Sequence, residues 1–470
     1  MAEYHVENFG CRASRSDGEA IAANLRHRGL DSANRPAAAD VVIVNTCSVT
    51  AEADRQARAF MRRVHRDNPN ARIIVTGCYA QRAPQELAAL PEVDAVVGNS
   101  HKSLVADLAA QFAINSEAIE APAFVSLNKL APAIFHDDAF AHSELATLPF
   151  APDARQTRPN LKVQDGCGNR CSFCIIPTTR GHSRSTPLET SLDNVRRFVD
   201  LGGQELVLSG INLGRWGRDL QPSQRFEDLV AAILLRTQLP RLRLSSIEPM
   251  DWSSDLLALY REFSNGEHPR LARHTHLPLQ SGSDAILRRM YRRYRPWHYA
   301  GRLAQIRALL PDAAIGADVM IGFPGESDAH FDESYRFIAA QPFTYLHLFP
   351  FSARPGTPAW ELQRQNPVPA QAVRERMEAL RTLMAEKFRA FRTRFLGTTL
   401  SAVTVEPGPG ATTEAVTDNF LKLSLDAPLP ANRIVTAQIT ALTNEGLSGS
   451  MPTAPSPTAS SLTISSLAAF

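Results

Sequence analysis

The chain of 470 residues has few cysteines and no long apolar stretch. No segment approaches the roughly 18 apolar residues that a membrane-spanning helix needs, and the first residues show neither the basic nor the apolar part of a signal peptide. Six cysteines are too sparse for a disulfide-stapled fold. We therefore expect a cytoplasmic protein without a membrane partner, whose cysteines bind metal or take part in chemistry.

An excess of charge of one sign is also lacking. The chain has 50 Lys and Arg against 48 Asp and Glu, which gives a formal net charge of +2. Any surface that binds nucleic acid must therefore be local, because the acidic residues nearly cancel the basic ones over the whole chain. The length allows about three domains, each able to bury its own core.

The six cysteines form two groups of three. Cys167, Cys171 and Cys174 lie within one octet, whereas the N-terminal region contains Cys11, Cys47 and Cys78. A four-iron cluster needs four ligands, so a site of three thiolates leaves one iron open to a small molecule. The pattern predicts two reactive clusters with these six cysteines as catalytic ligands. The alternative at the octet is a structural zinc site, although no nearby His or Cys completes it.

Residues 1–111 show the alternation of short apolar runs and helical patterns that is typical of a parallel α/β domain. Each cysteine of the first group lies just past a predicted strand, and the carboxyl ends of parallel strands share one edge, so we expect the three to converge. The alternative is three separate buried core cysteines. The predicted strands are 4–9, 41–44, 73–75 and 95–97.

The remainder of the chain divides into four segments. Residues 112–158, rich in Ala and Pro, are predicted to be a linker. Residues 159–396 contain six strand-like runs and predict a partial (β/α)6 barrel, with helical patterns at 188–201 and 284–310 and a long amphipathic helix from Val373 to Phe395. Residues 397–445 predict a small all-β domain, and 446–470 a disordered tail. The barrel runs are 162–164, 205–208, 241–247, 274–279, 317–321 and 345–349.

The octet has the spacing CxxxCxxC and follows the first barrel strand, which resembles the radical S-adenosylmethionine (SAM) superfamily. The resemblance implies a 4Fe-4S cluster whose open iron binds SAM and whose electron releases a 5′-deoxyadenosyl radical. Residues at the strand ends would then bind SAM, although Gly and Ser at such positions also mark ordinary turns. The expected SAM-binding residues are Phe173, Gly210, Asn212, Glu248, Gln280, Ile321 and Gly322.

Several further motifs resemble the methylthiotransferase family over nearly the whole chain, and residues 397–445 resemble its TRAM module, an OB-type RNA-binding domain. Gly-Cys-Arg at 10–12, Gly-Cys-Tyr-Ala-Gln at 77–81 and Cys-Ile-Ile-Pro at 174–177 most resemble the branch that modifies threonylcarbamoyladenosine in tRNA. Further matching motifs are Asn45-Thr46-Cys47, Arg180-Gly181, Arg184-Ser185 and the loop 322–326.

The resemblance implies insertion of a methylthio group at C2 of N6-threonylcarbamoyladenosine at tRNA position 37, next to the anticodon. The C2 hydrogen is unactivated and no side-chain base can remove it, which is why a radical is required. A second 4Fe-4S cluster on Cys11, Cys47 and Cys78 would supply sulfur, while one SAM gives the methyl group and another the radical. The implied partners are the tRNA anticodon stem-loop, an electron donor such as flavodoxin or ferredoxin, and a sulfur source.

Basic residues in four places are candidates for RNA contacts, and one of these places is the stretch with Arg55, Arg58, Arg62, Arg63 and Arg66. They could meet phosphates, although charge runs on helices are also common as solvated faces. Arg184 lies shortly after the octet, and Lys422 lies in the small β domain. The fourth place is a predicted helix that begins near residue 284 and carries Arg288, Arg289, Arg292 and Arg293.

The chain departs from the family pattern at Ser14, where an Asn is more usual, and in its short β domain with few basic residues. Other activities fit parts of the pattern. Within the family these are modification of isopentenyladenosine in tRNA or of a ribosomal-protein aspartate. Outside it they are an iron–sulfur electron carrier, although carriers usually saturate each cluster with four ligands, and a zinc-dependent RNA-binding protein.

Overall fold

The computed structural model describes residues 2–114, 132–138, 140 and 157–452. The N-terminal part is a parallel six-stranded sheet flanked by helices, with the strand order β2-β1-β3-β4-β5-β6. The strands are β1 (Glu3–Asn8), β2 (Asp31–Ser32), β3 (Val41–Thr46), β4 (Arg72–Gly77), β5 (Ala95–Gly98) and β6 (Ala133–Phe135). The helices are α1 (Arg12–His27), α2 (Ala51–Asp67), α3 (Cys78–Arg82), α4 (Pro84–Ala88) and α5 (Val105–Ile114).

The central strands of this sheet are continuous apolar runs because helices cover both faces, and the four predicted strands are confirmed. The linker prediction is wrong at two places. Helix α5 continues past residue 111, and β6 lies inside 112–158 as the edge strand beside β5. A strand of three residues carries no periodicity, so only its pairing with β5 reveals it. The other residues of the predicted linker, 115–131, 139 and 141–156, lie outside the described residues.

The central part is an incomplete parallel barrel, as predicted. One sheet has the order β10-β9-β7-β8 and a second the order β11-β12-β13, and hydrogen bonds such as Ala272 N to Leu242 O (2.9 Å) connect β10 to the segment before β11. Only the two-residue β8 is antiparallel among these described strands. The strands are β7 (Asn160–Asp165), β8 (Arg184–Ser185), β9 (Glu205–Gly210), β10 (Arg241–Leu244), β11 (His274–His276), β12 (Ala314–Ile321) and β13 (Tyr345–Pro350).

Helices surround this barrel. The predicted helix at 284–310 is in fact two helices, because Pro296 has no backbone N–H and disfavours helical geometry at Arg295, which is extended. The helices are α6 (Ile176–Arg180), α7 (Leu188–Asp200), α8 (Phe226–Arg236), α9 (Ser254–Phe263), α10 (Asp284–Arg289), α11 (Pro296–Leu309), α12 (Asp328–Ala340), α13 (Pro358–Gln365) and α14 (Ala370–Thr393).

The apolar stripe of the long helix serves two cores. Met377, Leu380 and Met384 of α14 pack into the core of the incomplete barrel, as predicted. Phe391 of the same helix and Phe395 just beyond it instead join the core of the C-terminal part. The long helix therefore attaches the two parts to each other through buried apolar surface.

The C-terminal part is a closed five-stranded barrel of OB type, in the order β14-β15-β16-β18-β17. Its last strand lies beyond residue 445, so the predicted start of the tail at 446 is wrong. The sequence Leu-Ser-Gly-Ser has little strand propensity, and pairing with β16 and β17 fixes it. Residues 453–470 of the predicted tail lie outside the described residues. The strands are β14 (Thr399–Pro407), β15 (Thr413–Thr417), β16 (Lys422–Leu425), β17 (Ile434–Leu442) and β18 (Leu447–Ser450).

No helix within the described ranges combines the length and the hydropathy of a membrane span.

Candidate active site

The three N-terminal cysteines meet at the carboxyl edge of the first sheet. Cys11, Cys47 and Cys78 follow the neighbouring strands β1, β3 and β4. Gly10 has a φ of +112°, and a Cβ added there would lie 2.7 Å from the Sγ of Cys47. Glycine at this position therefore allows the loop that carries Cys11 to approach Cys47.

The sulfurs of this group face N–H and O–H groups. The backbone N–H of Val49 donates to Cys47 Sγ over 3.5 Å, and Asn99 Nδ2 donates to Cys78 Sγ over 3.5 Å. Burial, together with the neighbouring Cys78 and Cys11, raises the pKa of the Cys47 thiol to about 12. Without metal the buried cysteine is therefore a thiol near neutral pH, and metal binding releases its proton.

Ser14 lies in the first turn of α1, beside this cysteine group. Its Oγ is 3.8 Å from Cys11 Sγ and accepts a hydrogen bond of 3.3 Å from Arg180 Nη2. The departure from the usual Asn therefore leaves a polar group next to the sulfur.

The second cysteine group lies in the loop between β7 and α6. Cys167 Sγ accepts hydrogen bonds from the backbone N–H of Asn169 (3.4 Å) and from Asn212 Nδ2 (3.5 Å). Arg292 Nη1 donates to Cys171 Sγ over 3.3 Å. Burial raises the pKa of Cys174 to about 12. The N–H donors to Cys167 and Cys171 fit a cluster bound by thiolates, since such donors stabilise negative sulfur.

Neither cysteine group has the geometry of a site for one zinc ion. Two sulfurs bound to the same zinc lie at most about 4.6 Å apart, because each Zn–S bond is about 2.3 Å. Within the described ranges, the one set of three potential ligands whose atoms all lie within 4.8 Å is His276, Asp318 and His347. The wider spacing of the cysteines fits thiolates that bind separate irons.

Polar residues predicted to bind SAM lie at strand ends beside the octet. The backbone N–H of Asn212 donates to Gln164 Oε1 over 2.7 Å, which holds the loop after β9 against β7. Asn212 Oδ1 and Gln280 Oε1 are buried and accept no hydrogen bond within the described chain. Buried polar atoms are rarely left unpaired, so these two fit contacts with a polar ligand.

The other predicted SAM-binding residues surround the same loop. Gly322 has a φ of +78°, and a Cβ there would lie 2.6 Å from Val373 Cγ2, so the tight turn after β12 requires glycine. Ile321 is buried, and Phe173 packs edge to face on Phe323 at 6.5 Å between ring centroids. Gly210 ends β9 against the side chain of Gln164, and Glu248 binds Arg292 over 2.5 Å.

One predicted RNA contact is corrected. Arg292 is 8% exposed, and its guanidinium binds Glu248 and Cys171 instead of facing solvent. It lies in the segment between α10 and α11, where the chain turns inward at Tyr291, whose φ is +58°. Arg292 is therefore part of the cluster surroundings and is not available to a phosphate.

The other predicted RNA contacts differ in exposure. Arg288, Arg289 and Arg293 are exposed, with Arg288 paired to Asp284 at 2.8 Å. Arg184 is half-buried and stacks over Phe140 at 5.7 Å, and burial lowers its pKa. Lys422 is exposed and pairs with Glu445 at 2.5 Å. Their contacts with RNA stay predictions.

A buried charge network joins the first sheet to the barrel. Arg180 is 1% exposed and binds both oxygens of Asp165 and one oxygen of Asp17, each at 3.0 Å. Lys102 binds Asp17 at 2.6 Å, and Lys162 contacts both carboxylates. Burial would raise the pKa of each carboxyl group, but the three cations hold both pKa values well below the usual range.

Asn99 makes a second connection between the two cysteine groups. Its Nδ2 donates to Cys78 Sγ and also to the carbonyl oxygen of Thr179, at 2.7 Å, shortly after the octet. Neither Asn99 nor Gln164 was predicted, because a single amide side chain gives no sequence pattern. The available signal for Gln164 was its position, since it lies three residues before Cys167, the first cysteine of the octet.

The comparisons with known proteins agree with this architecture. Residues 3–98 match the family described as "Uncharacterized protein family UPF0004", and residues 161–338 match the radical SAM superfamily. The fold resembles the radical SAM methyltransferase TsrM from Kitasatospora setae, with a TM-score of 0.54, 14% identity, and coverage of 77% of this chain and 76% of that one.

Relatives by sequence span nearly the full chain. It is 34% identical over 437 residues to the threonylcarbamoyladenosine tRNA methylthiotransferase MtaB of Rickettsia prowazekii, covering 92% of this chain and 94% of that one. The corresponding Bacillus subtilis protein is 32% identical over 428 residues and 90% of each chain. The tRNA-2-methylthio-N(6)-dimethylallyladenosine synthase of Novosphingobium aromaticivorans is 30% identical, covering 86% of this chain and 87% of that one.

An incomplete parallel barrel with a three-cysteine loop after its first strand defines a radical SAM enzyme. The additional N-terminal sheet, which has three cysteines of its own, distinguishes one family within this superfamily. The chain belongs to the radical SAM methylthiotransferase family and is of the MtaB type.

Proposed function

We propose that this enzyme inserts a methylthio group at C2 of N6-threonylcarbamoyladenosine at position 37 of tRNA, using two 4Fe-4S clusters and SAM. The observation that supports this most directly is the pair of three-cysteine groups on opposite sides of one interface. Asn99 contacts a sulfur of one group and the loop of the other. Arg180 makes the same connection. It interacts electrostatically with Cys11 and Cys78 of one group and lies six residues after Cys174 of the other.

Cys167, Cys171 and Cys174 would hold the cluster that binds SAM, and the N-terminal cysteines would hold the second cluster. When bound, SAM at the first cluster would supply the radical, the second cluster the sulfur, and a further SAM the methyl group. The chain itself would bind and orient SAM through Asn212 and Gln280, whose buried side-chain oxygens accept no hydrogen bond from the described residues. The apolar wall of residues such as Phe173 and Phe323 excludes water from the same region.

Two observations favour threonylcarbamoyladenosine as the substrate. Relatives that carry this nucleoside in their names align with nearly the whole chain, and the motifs at 10–12 and 77–81 resemble that branch. Relatives named for dimethylallyladenosine make isopentenyladenosine the second candidate. The anticodon stem-loop would contact exposed basic residues, and turnover needs an electron donor such as flavodoxin or ferredoxin and a sulfur source. The candidate RNA contacts are Arg184, Arg288, Arg289, Arg293 and Lys422.

Mass spectrometry of tRNA nucleosides tests the substrate. Cells that lack the gene should lose methylthio-threonylcarbamoyladenosine and regain it when the gene is restored. Restoration with a Cys171→Ala variant is the matched control and should fail. If the nucleoside persists in a strain without a second such enzyme, or if the isopentenyl derivative disappears instead, the substrate assignment is wrong.

Iron analysis after anaerobic reconstitution tests the number of clusters. Wild type should hold about eight irons per chain, since each 4Fe-4S cluster contributes four. Replacement of Cys11, Cys47 and Cys78 by Ala should halve this content, and replacement of the octet cysteines should halve it independently. Equal iron in wild type and the N-terminal triple variant would contradict the two-cluster proposal.

A further inference from the structure

Strands β11, β12 and β13 carry a polar cluster that the functions above do not use. His276 Nε2 and His347 Nδ1 each lie 3.2 Å from one oxygen of Asp318. The hydroxyl oxygen of Tyr345 lies 3.1 Å from His276 Nδ1 and 2.7 Å from His274 Nε2. We name these five residues the barrel-lumen cluster.

Arginines accumulate beneath the barrel-lumen cluster. Arg158 and Arg243 both bind Glu205 Oε1 at 2.7 Å, and Arg241 lies 3.6 Å from its other oxygen, so one carboxylate serves three guanidinium groups. Arg158 and Arg243 also lie over the ring of Phe420, which the C-terminal barrel inserts at this end. The floor therefore has an excess of positive charge that favours an anion nearby.

Arg12 reaches the cluster from the N-terminal part. It directly follows Cys11 as the first residue of α1, and its guanidinium interacts through charge with Tyr345 and Asp318. Surrounding protein lowers its pKa, although the side chain remains accessible to solvent. Within the described part of the chain, Arg12 has no hydrogen bond or ion pair. A cation partly removed from water and without a partner is suited to a ligand that brings the anion.

His276 gives a second and independent indication of a ligand. Its side chain is 5% exposed, and Nε2 lies 3.2 Å from Asp318 without a hydrogen bond of good geometry. Tyr345 contacts the other ring nitrogen and fixes the orientation of the ring. A metal ion is a poor occupant, because the positive charge of Arg12 acts on Asp318. A group that carries both a negative charge and hydrogen-bonding atoms fits better.

We infer that Arg12 binds the carboxylate of the threonyl group on the substrate adenosine and that His276 hydrogen-bonds to the same substituent. A threonylcarbamoyl group has one carboxylate, one hydroxyl and one carbamoyl unit, whereas an isopentenyl group has none of these. The hydrocarbon would leave Arg12 unpaired, so the site discriminates against it. Because Arg12 adjoins Cys11, the same contact places the base beside the N-terminal cysteines. This inference rests on the proposed function.

Binding and turnover of two matched RNAs test whether Arg12 recognises the carboxylate. One anticodon stem-loop carries threonylcarbamoyladenosine, and the other carries the same nucleoside with its carboxylate converted to the neutral carboxamide. Reconstituted wild type should bind the carboxylate RNA about 10- to 100-fold more tightly, the value of a charge-assisted hydrogen bond. Arg12→Gln should lose this preference, and Arg12→Lys should keep part of it. Arg15→Gln, a neutralisation three residues along the same helix, should leave the preference unchanged.

Iron content and SAM cleavage without RNA are measured in each variant to show that the clusters are intact. The inference is overturned if Arg12→Gln retains the preference, or if it weakens both RNAs equally, since equal loss indicates a phosphate contact. If Arg12→Gln loses iron, Arg12→Lys becomes the deciding variant. Its preference for the carboxylate RNA must then be weaker than that of wild type. A wild type that modifies neither RNA overturns the proposed function and this inference with it, whereas turnover without a carboxylate preference overturns the inference alone.

Discussion

Replacement of Arg180 tests whether the buried charge network holds the first sheet to the barrel. The guanidinium is 1% exposed and makes contacts of 3.0 Å with two carboxylates that come from opposite sides of the interface. Arg180→Met removes one partner from a buried network, which typically costs about 3–5 kcal/mol. Asp17 keeps Lys102, and Asp165 keeps Lys162, so we expect a value near the lower end of this range.

The measurement is urea unfolding of cluster-free protein, so that iron does not contribute to stability. Arg196→Met is the matched control, because Arg196 is 41% exposed and pairs with Asp193 on the surface at 2.9 Å. That pair should contribute less than about 1 kcal/mol. If the two variants lose equal amounts of unfolding free energy, the network does not hold the parts together. Wild type and Arg196→Met should also reconstitute equally, while Arg180→Met should take up less iron at the N-terminal cysteines.

Three other predictions concern pH, thiols and the octet. The lowered pKa values of Asp17 and Asp165 stabilise the fold above their ordinary value of about 3.9, and this stability is lost as pH falls through the lower folded values. Unfolding free energy should therefore fall steeply below about pH 4; a flat acid profile would contradict the network. In cluster-free protein at neutral pH, iodoacetamide should label exposed Cys11 before buried Cys47 and half-buried Cys174, because the pKa values of the latter two thiols are raised to about 12. Peptide mass spectrometry measures the order, and simultaneous labelling would refute it. Arg292→Gln removes a charged donor to Cys171 Sγ and should make the reduction potential of the octet cluster more negative, whereas exposed Arg288→Gln should not. Redox titration followed by electron paramagnetic resonance, in protein lacking the N-terminal cysteines, checks this.

Much of the fold follows from local pattern. Three of the four predicted N-terminal strands, β3, β4 and β5, are apolar runs between helices, and the six barrel runs each end in a polar or glycine-containing turn. The strands that were not predicted form by pairing between segments that are distant in sequence. β6 has only three residues and β18 is mostly polar, so pairing with neighbouring strands is what makes them strands. Pro296 was a local signal for the break between α10 and α11, and the helical spacing of apolar residues obscured it.

The sequence alone determined the six cysteines and their division into two groups, because spacing and position after strands are local properties. Only the tertiary structure decided the roles of the arginines. Arg288 and Arg292 share one basic run, yet one faces solvent and the other binds Cys171 and Glu248. Arg12 and Arg180 likewise acquire their surroundings from segments far away in sequence. The sequence determines which side chains are charged, but the assembled fold determines the partners and the burial of each charged group.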